Sequence, residues 1–264
     1  MHNKFIIIDA NSTNNSWVMG GSTNWTNPTN LFNDYNNIIF IQDKSIAQTY
    51  TAEFNEMWGG VFGGNKEDNT PHLFNVNGTE IEVYFSPSDQ TTSKILKFIE
   101  DVNYTLEFGL LGFTRDDLGN AVINKDNEFG VNVRGIIEQQ NVTGSEYDNL
   151  INNGVNVKSH MGVPNSFHHK YAISDVNVTG SNPSILTGSH NWSSNAENNS
   201  DENTIIIHDH TIANIYLQEF EERWGELTTS INELSDVKVE IFPNPSEGKV
   251  TIITESMIDV INIY

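Results

Sequence analysis

The sequence contains no cysteine, so disulfide bonds and metal sites built on thiolates are excluded. It also has few basic residues, with 13 Lys and Arg against 35 Asp and Glu and a formal net charge of -22. This balance opposes nonspecific attraction to nucleic acids and to anionic membranes. An anionic substrate would therefore have to be bound by a local cluster of positive side chains.

Long apolar runs are also absent. No stretch approaches the roughly 20 apolar residues of a membrane-spanning helix. Residues 1–20 lack the basic start and the apolar core of a signal peptide. Hydrophobic residues still make up 37% of the 264 residues, which is enough for ordinary cores. We therefore expect a globular fold without an integral membrane segment.

The most informative pattern is a phrase that occurs twice. Both copies have the spacing histidine, one residue, lysine, four residues, aspartate: His2, Lys4 and Asp9, then His168, Lys170 and Asp175. Each copy is followed by a Gly-Ser-x-Asn element, which contributes Ser22 and Asn24, and Ser189 and Asn191. The match continues without gaps through residues 43–59 and 209–225. We infer an internal duplication.

Hydrophobic periodicity predicts alternating strands and helices. In the second copy we expect strands at 81–85, 104–113, 131–137, 155–158, 171–173, 185–187 and 204–207, and helices at 88–102, 116–125, 146–153 and 212–224. The first copy shows only the last part of this scheme, with strands at 5–8, 17–19 and 38–41 and a helix at 46–58. The front half of the first repeat is missing, so we expect a fragment. The tryptophans of both copies are expected in the core: Trp25, Trp58, Trp192 and Trp224.

These patterns divide the chain into five segments. They are the C-terminal half of a first repeat at 1–60, a Gly-rich linker at 61–78, a complete second repeat at 79–226, a linker at 227–236 and a strand-turn-strand segment at 237–264.

The duplicated phrase suits chemistry on a phosphodiester. In a strand, residues two positions apart point to the same side, so each copy presents an imidazole and an ammonium group together. If the copies meet about a pseudo-twofold axis, one histidine can attack phosphorus and the other can protonate the leaving oxygen. The lysines can stabilise the phosphoryl oxygens, and the serines and asparagines can add neutral donors. This inventory requires no metal and no other cofactor.

The two phrases and their Gly-Ser-x-Asn elements resemble the signature of the phospholipase D superfamily, over about residues 1–225. The resemblance implies an α/β fold, an α-β-α sandwich with a mixed sheet built from tandem pseudo-twofold repeats, the first one N-terminally truncated. It also implies hydrolysis through a covalent phosphohistidine, with catalytic His2 and His168, phosphate-binding Lys4 and Lys170, and mainly structural Asp9 and Asp175.

The superfamily's later acidic residue corresponds to Glu202 in the second copy and to Asn36 in the first. We expect Glu202 to accept a hydrogen bond from the ring of His168 and to stabilise its protonated form. A neutral partner such as Asn36 would fix the tautomer of His2 without raising its proton affinity. This asymmetry predicts that His2 is the nucleophile and His168 the general acid.

The C-terminal segment, 237–264, resembles the sorting domain of the type IX secretion system of Bacteroidetes, through Ile241–Pro245 and Gly248–Val250. The resemblance implies part of a C-terminal β-sandwich, export by the type IX secretion machinery and a secreted or cell-surface location. An ordinary edge hairpin is the alternative.

The sequence leaves the substrate open between a phospholipid and a nucleic acid. The second copy resembles short endonuclease-like members of the superfamily, which favours a nonspecific endonuclease, whereas the net charge of -22 opposes binding of a polyanion. A different class of function is a catalytically inactive surface-binding module, which Asn36 and the incomplete first repeat suggest. The sequence does not indicate the oligomeric state.

Overall fold

Strands and helices alternate along the chain in the duplicated order expected from the sequence. The computed structural model describes residues 2–26, 29–176, 178–229, 240–242 and 251–253. The chain divides into two compact units, 1–224 and 225–264, and the first unit contains both repeats.

All the strands and helices expected from the periodicity are present, and the structure adds one strand, Leu73–Val76, and two short helices, Thr29–Phe32 and Ser194–Asn198. The strands are β1 (Phe5–Ile8), β2 (Trp17–Gly21), β3 (Ile38–Ile41), β4 (Leu73–Val76), β5 (Thr79–Ser86), β6 (Thr105–Leu110), β7 (Asn132–Ile137), β8 (Asn156–Ser159), β9 (Lys170–Ser174), β10 (Ser184–Gly188), β11 (Glu202–His208), β12 (Glu240–Phe242) and β13 (Thr251–Ile253). The helices are α1 (Thr29–Phe32), α2 (Lys44–Trp58), α3 (Thr91–Glu100), α4 (Asp116–Asp126), α5 (Tyr147–Asn152), α6 (Ser194–Asn198) and α7 (His210–Thr229).

The sheets confirm the duplication. Strands β1, β2 and β3 form an antiparallel sheet of three strands. Their counterparts β9, β10 and β11 lie within an eight-stranded mixed sheet of order β4-β5-β11-β10-β9-β6-β7-β8, in which β6, β7 and β8 are parallel. The predicted α/β fold, with a mixed sheet and two related repeats, is therefore confirmed for the larger unit. None of the described helices is long and apolar enough to cross a membrane.

The core of the second repeat lies between the large sheet and helices α3 and α4. One face of the central strands supplies Ala172, Leu186 and Ile206, which pack with Ile95 of α3 and Leu118 of α4. All five side chains are buried, and burial of each large aliphatic side chain stabilises the fold by about 1.5–3 kcal/mol. This packing holds the strands that carry the second catalytic phrase.

The first repeat leaves the corresponding sheet face exposed. Ile6, Ile8 and Phe40 are all exposed, although the equivalent positions in the second repeat, 166 residues later, are buried. Trp25 and Trp58, with exposed fractions of 45% and 81%, were expected in the core and are not there. For the strand residues the physical reason is that no helix like α3 or α4 covers this face in the part of the chain that the structure describes. Trp58 lies at the end of α2, and the strand residues that pack on its counterpart Trp224 have no described equivalent in the first repeat.

The segment predicted to be a linker, 61–78, is ordered structure. It contains a single 3₁₀ turn, Gly63–Asn65, and β4, which pairs with β5 and extends the large sheet. Lys66, between them, is buried. Of the predicted sorting-domain segment, only β12 and β13 are described, and they pair antiparallel. The rest of that segment, and the predicted linker from residue 230 onward, lie outside the described residues.

Asp175 ties the end of β9 to the start of β6. Its carboxylate accepts backbone N–H bonds from Asn103, Tyr104 and Thr105 at 2.7–3.2 Å. Its own backbone has a positive φ of 57°, a conformation that aspartate tolerates better than most residues. Asp9 has the same backbone conformation, φ 49°, but its carboxylate makes no hydrogen bond to any residue that the structure describes.

Asp175→Ala should therefore destabilise the larger unit by about 3 kcal/mol, because charge-assisted hydrogen bonds contribute about 1.5–3 kcal/mol each and part of that is recovered from water. Chemical denaturation measures the loss. Asp9→Ala is the matched control, with an expected loss below about 1 kcal/mol. Equal losses in the two variants would contradict the structural role of the Asp175 carboxylate.

Candidate active site

The two histidine phrases meet across the interface between the repeats. The backbone N–H of His2 donates to the carbonyl of Asp201 at 3.0 Å, and that of His168 donates to the carbonyl of Tyr35 at 2.7 Å. Tyr35 and Asp201 occupy equivalent positions in the two repeats, so the two bonds are related by the pseudo-twofold arrangement. Each histidine phrase thus lies against the residues that precede the third strand of the other repeat.

Glu202 binds the ring of His2. The Nδ1 atom of His2 lies 2.7 Å and 2.9 Å from the two carboxylate oxygens, and the hydroxyl of Ser189 donates to Oε2 at 2.6 Å. The expectation that Glu202 holds His168 is therefore wrong. Because the repeats exchange partners across the interface, the carboxylate at the start of β11 meets the histidine before β1. Ser189 was predicted to bind phosphate, but its hydroxyl group donates its hydrogen bond to Glu202.

His168 has no carboxylate partner among the described residues. Its Nδ1 lies 2.9 Å from the backbone carbonyl of Ser22, which can only accept a hydrogen bond. The proton therefore resides on Nδ1, and Nε2, 3.4 Å from the amide nitrogen of Asn24, keeps its lone pair. Burial lowers the pKa of His168 to about 3, and the nearby ammonium groups of Lys170 and Lys4 act in the same direction. The ring is neutral at physiological pH.

Asn36 does not contact His2, contrary to the expectation from the sequence. Its side chain bonds with the hydroxyl of Thr23 and donates to the backbone carbonyls of Asn30 and Asp34 at 2.9 Å and 2.8 Å. Asn36 therefore organises the loop before β3 within its own repeat, and the ring of His2 is oriented by Glu202 alone among the described side chains.

Lys4 and Lys170 repeat the same local geometry. Each Nζ donates to the backbone carbonyl of the histidine two residues earlier, at 2.7 Å in both copies. The side chains are buried, with exposed fractions of 8% and 1%, and neither forms an ion pair with a described carboxylate. Burial lowers the pKa of Lys4 to about 8 and that of Lys170 well below its ordinary value. Two buried lysines that form no ion pair with a described carboxylate are candidates for binding an anion.

The Gly-Ser loops need glycine at their first position. Gly21 and Gly188 have φ values of 138° and 151°, and a Cβ atom would lie 2.3 Å and 2.1 Å from the carbonyl oxygens of Asn37 and Asn203. The serines that follow bond back to these same residues: Asn37 donates to Ser22 Oγ at 3.0 Å, and Asn203 donates to Ser189 Oγ at 3.0 Å. The loops are thereby fixed against the third strand of each repeat.

Two of the predicted phosphate ligands are placed differently in the two loops. The Asn24 amide faces His168, and Asn24 also lines a cavity of about 300 Å³ beside His2 and Lys4. Asn191 lies near Gly112, and its buried Oδ1 has no hydrogen-bond partner among the described residues. Both side chains remain candidates for contacts with a substrate.

The asparagines after the acidic position were not predicted as site residues. Asn203 donates to Asn3 Oδ1 at 3.0 Å, and the Asn37 amide lies 3.2 Å from the Nδ1 atom of His169. Asn37 and Asn203 stand at equivalent positions of the repeats, as do Asn3 and His169. The duplicated positions in the sequence could therefore have indicated Asn37 and Asn203.

Two clusters of histidine and carboxylate groups could hold a cation in the described residues. They are Asp68, His72 and Asp89, and Glu80, Glu82 and His208. Neither includes a residue of the imidazole and lysine constellation. In the second cluster the Nε2 atom of His208 lies 2.8 Å from Glu82, whose carboxylate raises the pKa of His208, as in an ordinary ion pair.

The affinity of the site for a divalent tetrahedral anion should fall as the pH rises through about 8. Lys4 is positively charged below its lowered pKa of about 8 and neutral above it, so the site loses charge at a pH where an ordinary lysine keeps it. Tungstate, whose charge is constant over this range, can be titrated from about pH 6 to about pH 10. Lys4→Arg should move the loss to higher pH. Equal affinity of the unmodified protein for tungstate at about pH 6 and at about pH 10 would contradict the lowered pKa of Lys4.

Comparisons with known proteins identify relatives of this chain. A family model described as "Cardiolipin synthase, PLD-like domain" matches residues 1–58 and 95–224. Mouse mitochondrial cardiolipin hydrolase is 30% identical over 163 residues, which cover 61% of this chain and 67% of that protein. The human protein of that name is 31% identical over 140 residues, which cover 52% of each. The chain thus spans about half to two thirds of the length of these relatives.

A solved structure of similar fold is the phosphatidylserine synthase of Haemophilus influenzae, with a TM-score of 0.59 and 16% identity over 87% of this chain and 62% of that chain. The polyphosphate kinase of Porphyromonas gingivalis has a TM-score of 0.60 at 12% identity, over 85% of this chain and 33% of that chain. At these identities the likeness concerns the fold.

Proposed function

The chain belongs to the phospholipase D-like family that the cardiolipin synthase model describes, and from this premise we propose that it is a phosphodiesterase. We further propose that it acts through a covalent phosphohistidine and uses no metal ion. One observation carries the proposal: two buried lysines that form no ion pair with a described carboxylate lie beside two histidines with different partners, a carboxylate for His2 and a backbone carbonyl for His168. Such fixed cations stabilise the charge that develops on phosphoryl oxygens in a transition state.

The two histidines have different roles in this proposal. His168 is the nucleophile, because its ring is neutral and its Nε2 lone pair is free of a proton. His2 is the general acid, because the Glu202 carboxylate at Nδ1 stabilises the imidazolium form. This assignment is the reverse of the one that the sequence suggested, since that one relied on contact between Glu202 and His168.

The reaction then proceeds in two balanced steps. First, Nε2 of His168 forms a bond to phosphorus, the bond to the leaving oxygen breaks, and His2 transfers its Nε2 proton to that oxygen. In the second step the neutral His2 takes a proton from water as the water oxygen attacks phosphorus and the bond to His168 breaks. Lys4 and Lys170 bind the phosphoryl oxygens in both steps.

For the substrate we propose a phospholipid diester, because the curated relatives that match half of the chain or more are named cardiolipin hydrolases. A nucleic acid is the second candidate. It is favoured by Trp25, which lies half-exposed on the cavity beside His2 where a base could stack on it. The net charge of -22 weakens binding of a long polyanion.

Parallel assays in excess EDTA test the proposal. The chain is incubated with vesicles containing cardiolipin, with single-stranded DNA and with bis(p-nitrophenyl) phosphate, and release of phosphatidic acid, cleaved DNA or nitrophenol is followed. We expect hydrolysis of at least one substrate, which Lys170→Met should abolish. Failure of all three would support the alternative of a catalytically inactive surface-binding module.

We also propose that the protein is secreted or held at the cell surface by the type IX secretion machinery, on the resemblance of residues 237–264 to its sorting domain. Removal of this segment from the protein in a host that has the machinery should leave the protein inside the cells, whereas the intact protein should reach the surface or the medium. Equal distribution of both forms would contradict the proposal.

A further inference from the structure

A buried lysine in the segment between the two repeats forms ion pairs with both of them. Lys66 lies between the 3₁₀ turn and β4, and its side chain is fully buried. Its Nζ is 2.5 Å from Glu53 Oε1 in the first repeat and 3.5 Å from Asp201 Oδ1 in the second. The backbone N–H of Gly63 donates to the same Asp201 oxygen at 2.8 Å. The joining segment thus places a cation between one carboxylate of each repeat.

Both partners of Lys66 lead directly to His2. Glu53 Oε1 accepts a hydrogen bond from the amide of Asn3 at 3.3 Å, and the backbone carbonyl of Asp201 accepts the N–H of His2 at 3.0 Å. Asp201 also precedes Glu202, whose carboxylate binds the His2 ring. Lys66 is therefore one contact away from the backbone of His2 and from the strand that carries its ring partner.

In the second repeat, the buried carboxylate at the corresponding position has its partners within the same repeat. Glu219, the counterpart of Glu53, is surrounded by groups of its own repeat: His169 at 3.3 Å, Tyr171 at 2.6 Å and Arg223 at 3.6 Å. The equivalent positions in the first repeat, 166 residues earlier, carry no charge: Asn3, Phe5 and Met57. Because a buried carboxylate without a cation is costly, the first repeat requires a positive group from elsewhere.

We propose that Lys66 is a positioning residue for His2, holding Asn3 and the Asp201–Glu202 backbone so that the acid reaches the leaving oxygen. The proposal rests on the acid role of His2 in the proposed function. Consistent with a tightly buried network, burial raises the pKa of Glu53 to about 7, while Lys66 opposes the rise and Asp201 and Asp89 add to it.

The test uses a variant that removes both members of the shorter ion pair, while Asp201 keeps its hydrogen bond from the backbone N–H of Gly63. Lys66→Met alone leaves Glu53 buried without a cation, so it could simply unfold the protein. Lys66→Met/Glu53→Gln removes both charges, and the introduced glutamine can still accept the hydrogen bond from Asn3. Lys125→Met is the matched control, because Lys125 is also buried and bonded to a glutamate, Glu128, but contacts no site residue. Thermal unfolding verifies that each variant is folded at the assay temperature.

The rate of the first chemical step is measured with two leaving groups in each variant. General acid catalysis contributes about 10²–10⁴-fold for a poor leaving group such as an alkoxide and little for nitrophenolate, which leaves without protonation. We expect the double variant to lose about 10- to 100-fold with an alkyl phosphodiester and less than about 3-fold with the nitrophenyl ester. KM should change less than about 3-fold, and Lys125→Met should change neither rate.

Two results would overturn the proposal: a folded double variant that retains the alkyl rate, or equal losses with both leaving groups, as expected of a general disturbance. His2→Ala, measured in parallel, separates this failure from a failure of the proposed function. It should show the same dependence on leaving group more strongly. If the rate loss in His2→Ala does not depend on the leaving group, the acid role of His2 is wrong, and the role proposed for Lys66 is then wrong as well.

Discussion

Replacing His168 with asparagine should reduce kcat by at least about 10³-fold, because the substitution removes the atom that bonds to phosphorus. Asparagine can still donate to the carbonyl of Ser22, as Nδ1 of His168 does at 2.9 Å, so the loop should keep its place. The neighbouring cations Lys4 and Lys170 should still bind the phosphoryl group. The variant should therefore retain affinity for tungstate while it loses turnover, which steady-state kinetics and anion titration measure together.

The control for this substitution is His208→Asn. His208 lies at the far end of β11 and bonds with Glu82 and Ser184, away from the two catalytic phrases. We expect its kcat to remain within about 2-fold of the unmodified protein. Retention of more than about a tenth of the activity in His168→Asn would contradict its role as nucleophile.

Glu202→Gln should reduce kcat with an alkyl phosphodiester by about 100-fold. Glutamine keeps the size of the side chain, but it is neutral, so it no longer stabilises the imidazolium form of His2. It also places an NH₂ group, which can only donate, where one of the two carboxylate oxygens stands, at 2.7 Å or 2.9 Å from the Nδ1 atom of His2. With a nitrophenyl leaving group the loss should be much smaller.

Imidazole NMR tests the same substitution independently of turnover. Because Glu202 contacts His2 and not His168, Glu202→Gln should change the Nδ1 chemical shift of His2 and leave that of His168 unchanged. A shift confined to His168 would contradict the exchange of partners between the repeats. An unchanged alkyl rate would contradict the role of the carboxylate in acid catalysis.

The sequence predicted the strands and helices well because local periodicity determines them, and the duplication repeated the prediction for three strands and one helix. The partner of Glu202 was predicted wrongly, because the prediction paired the acidic residue with the histidine of its own copy. The structure pairs them across the interface, where His2 donates to Asp201 and His168 to Tyr35. Only the arrangement of the two repeats in space could show that the acidic residue of one serves the histidine of the other.

The exposed tryptophans were missed for a related reason. In the second repeat Trp224 stacks on Phe220 and lies beneath the ammonium group of Lys158, 4.0 Å from its ring centroid. In the first repeat Trp58 stacks on Phe54 in the same way but is 81% exposed. The helix pattern is equal in the two copies, whereas burial depends on strands distant in sequence, which have no described counterpart in the first repeat.

Lys66 had no sequence signal at all. It lies in a polar, Gly-rich stretch that resembles a linker, and its partners Glu53 and Asp201 come from different repeats. A buried cation in such a stretch can be recognised only when the carboxylates around it are seen together. The same holds for Lys4 and Lys170, whose proposed role follows from burial without an ion pair to any described carboxylate and not only from being lysines.

The most direct test of the account is to trap the phosphoenzyme and locate its phosphate. The chain is mixed with a phosphodiester in excess EDTA, quenched at alkaline pH within the first turnover, and mapped by peptide mass spectrometry. We predict phosphate on His168 and none on His2, because His168 is the neutral ring and His2 is the one paired with Glu202. Phosphate on His2 alone, or turnover without any phosphohistidine, would contradict the account.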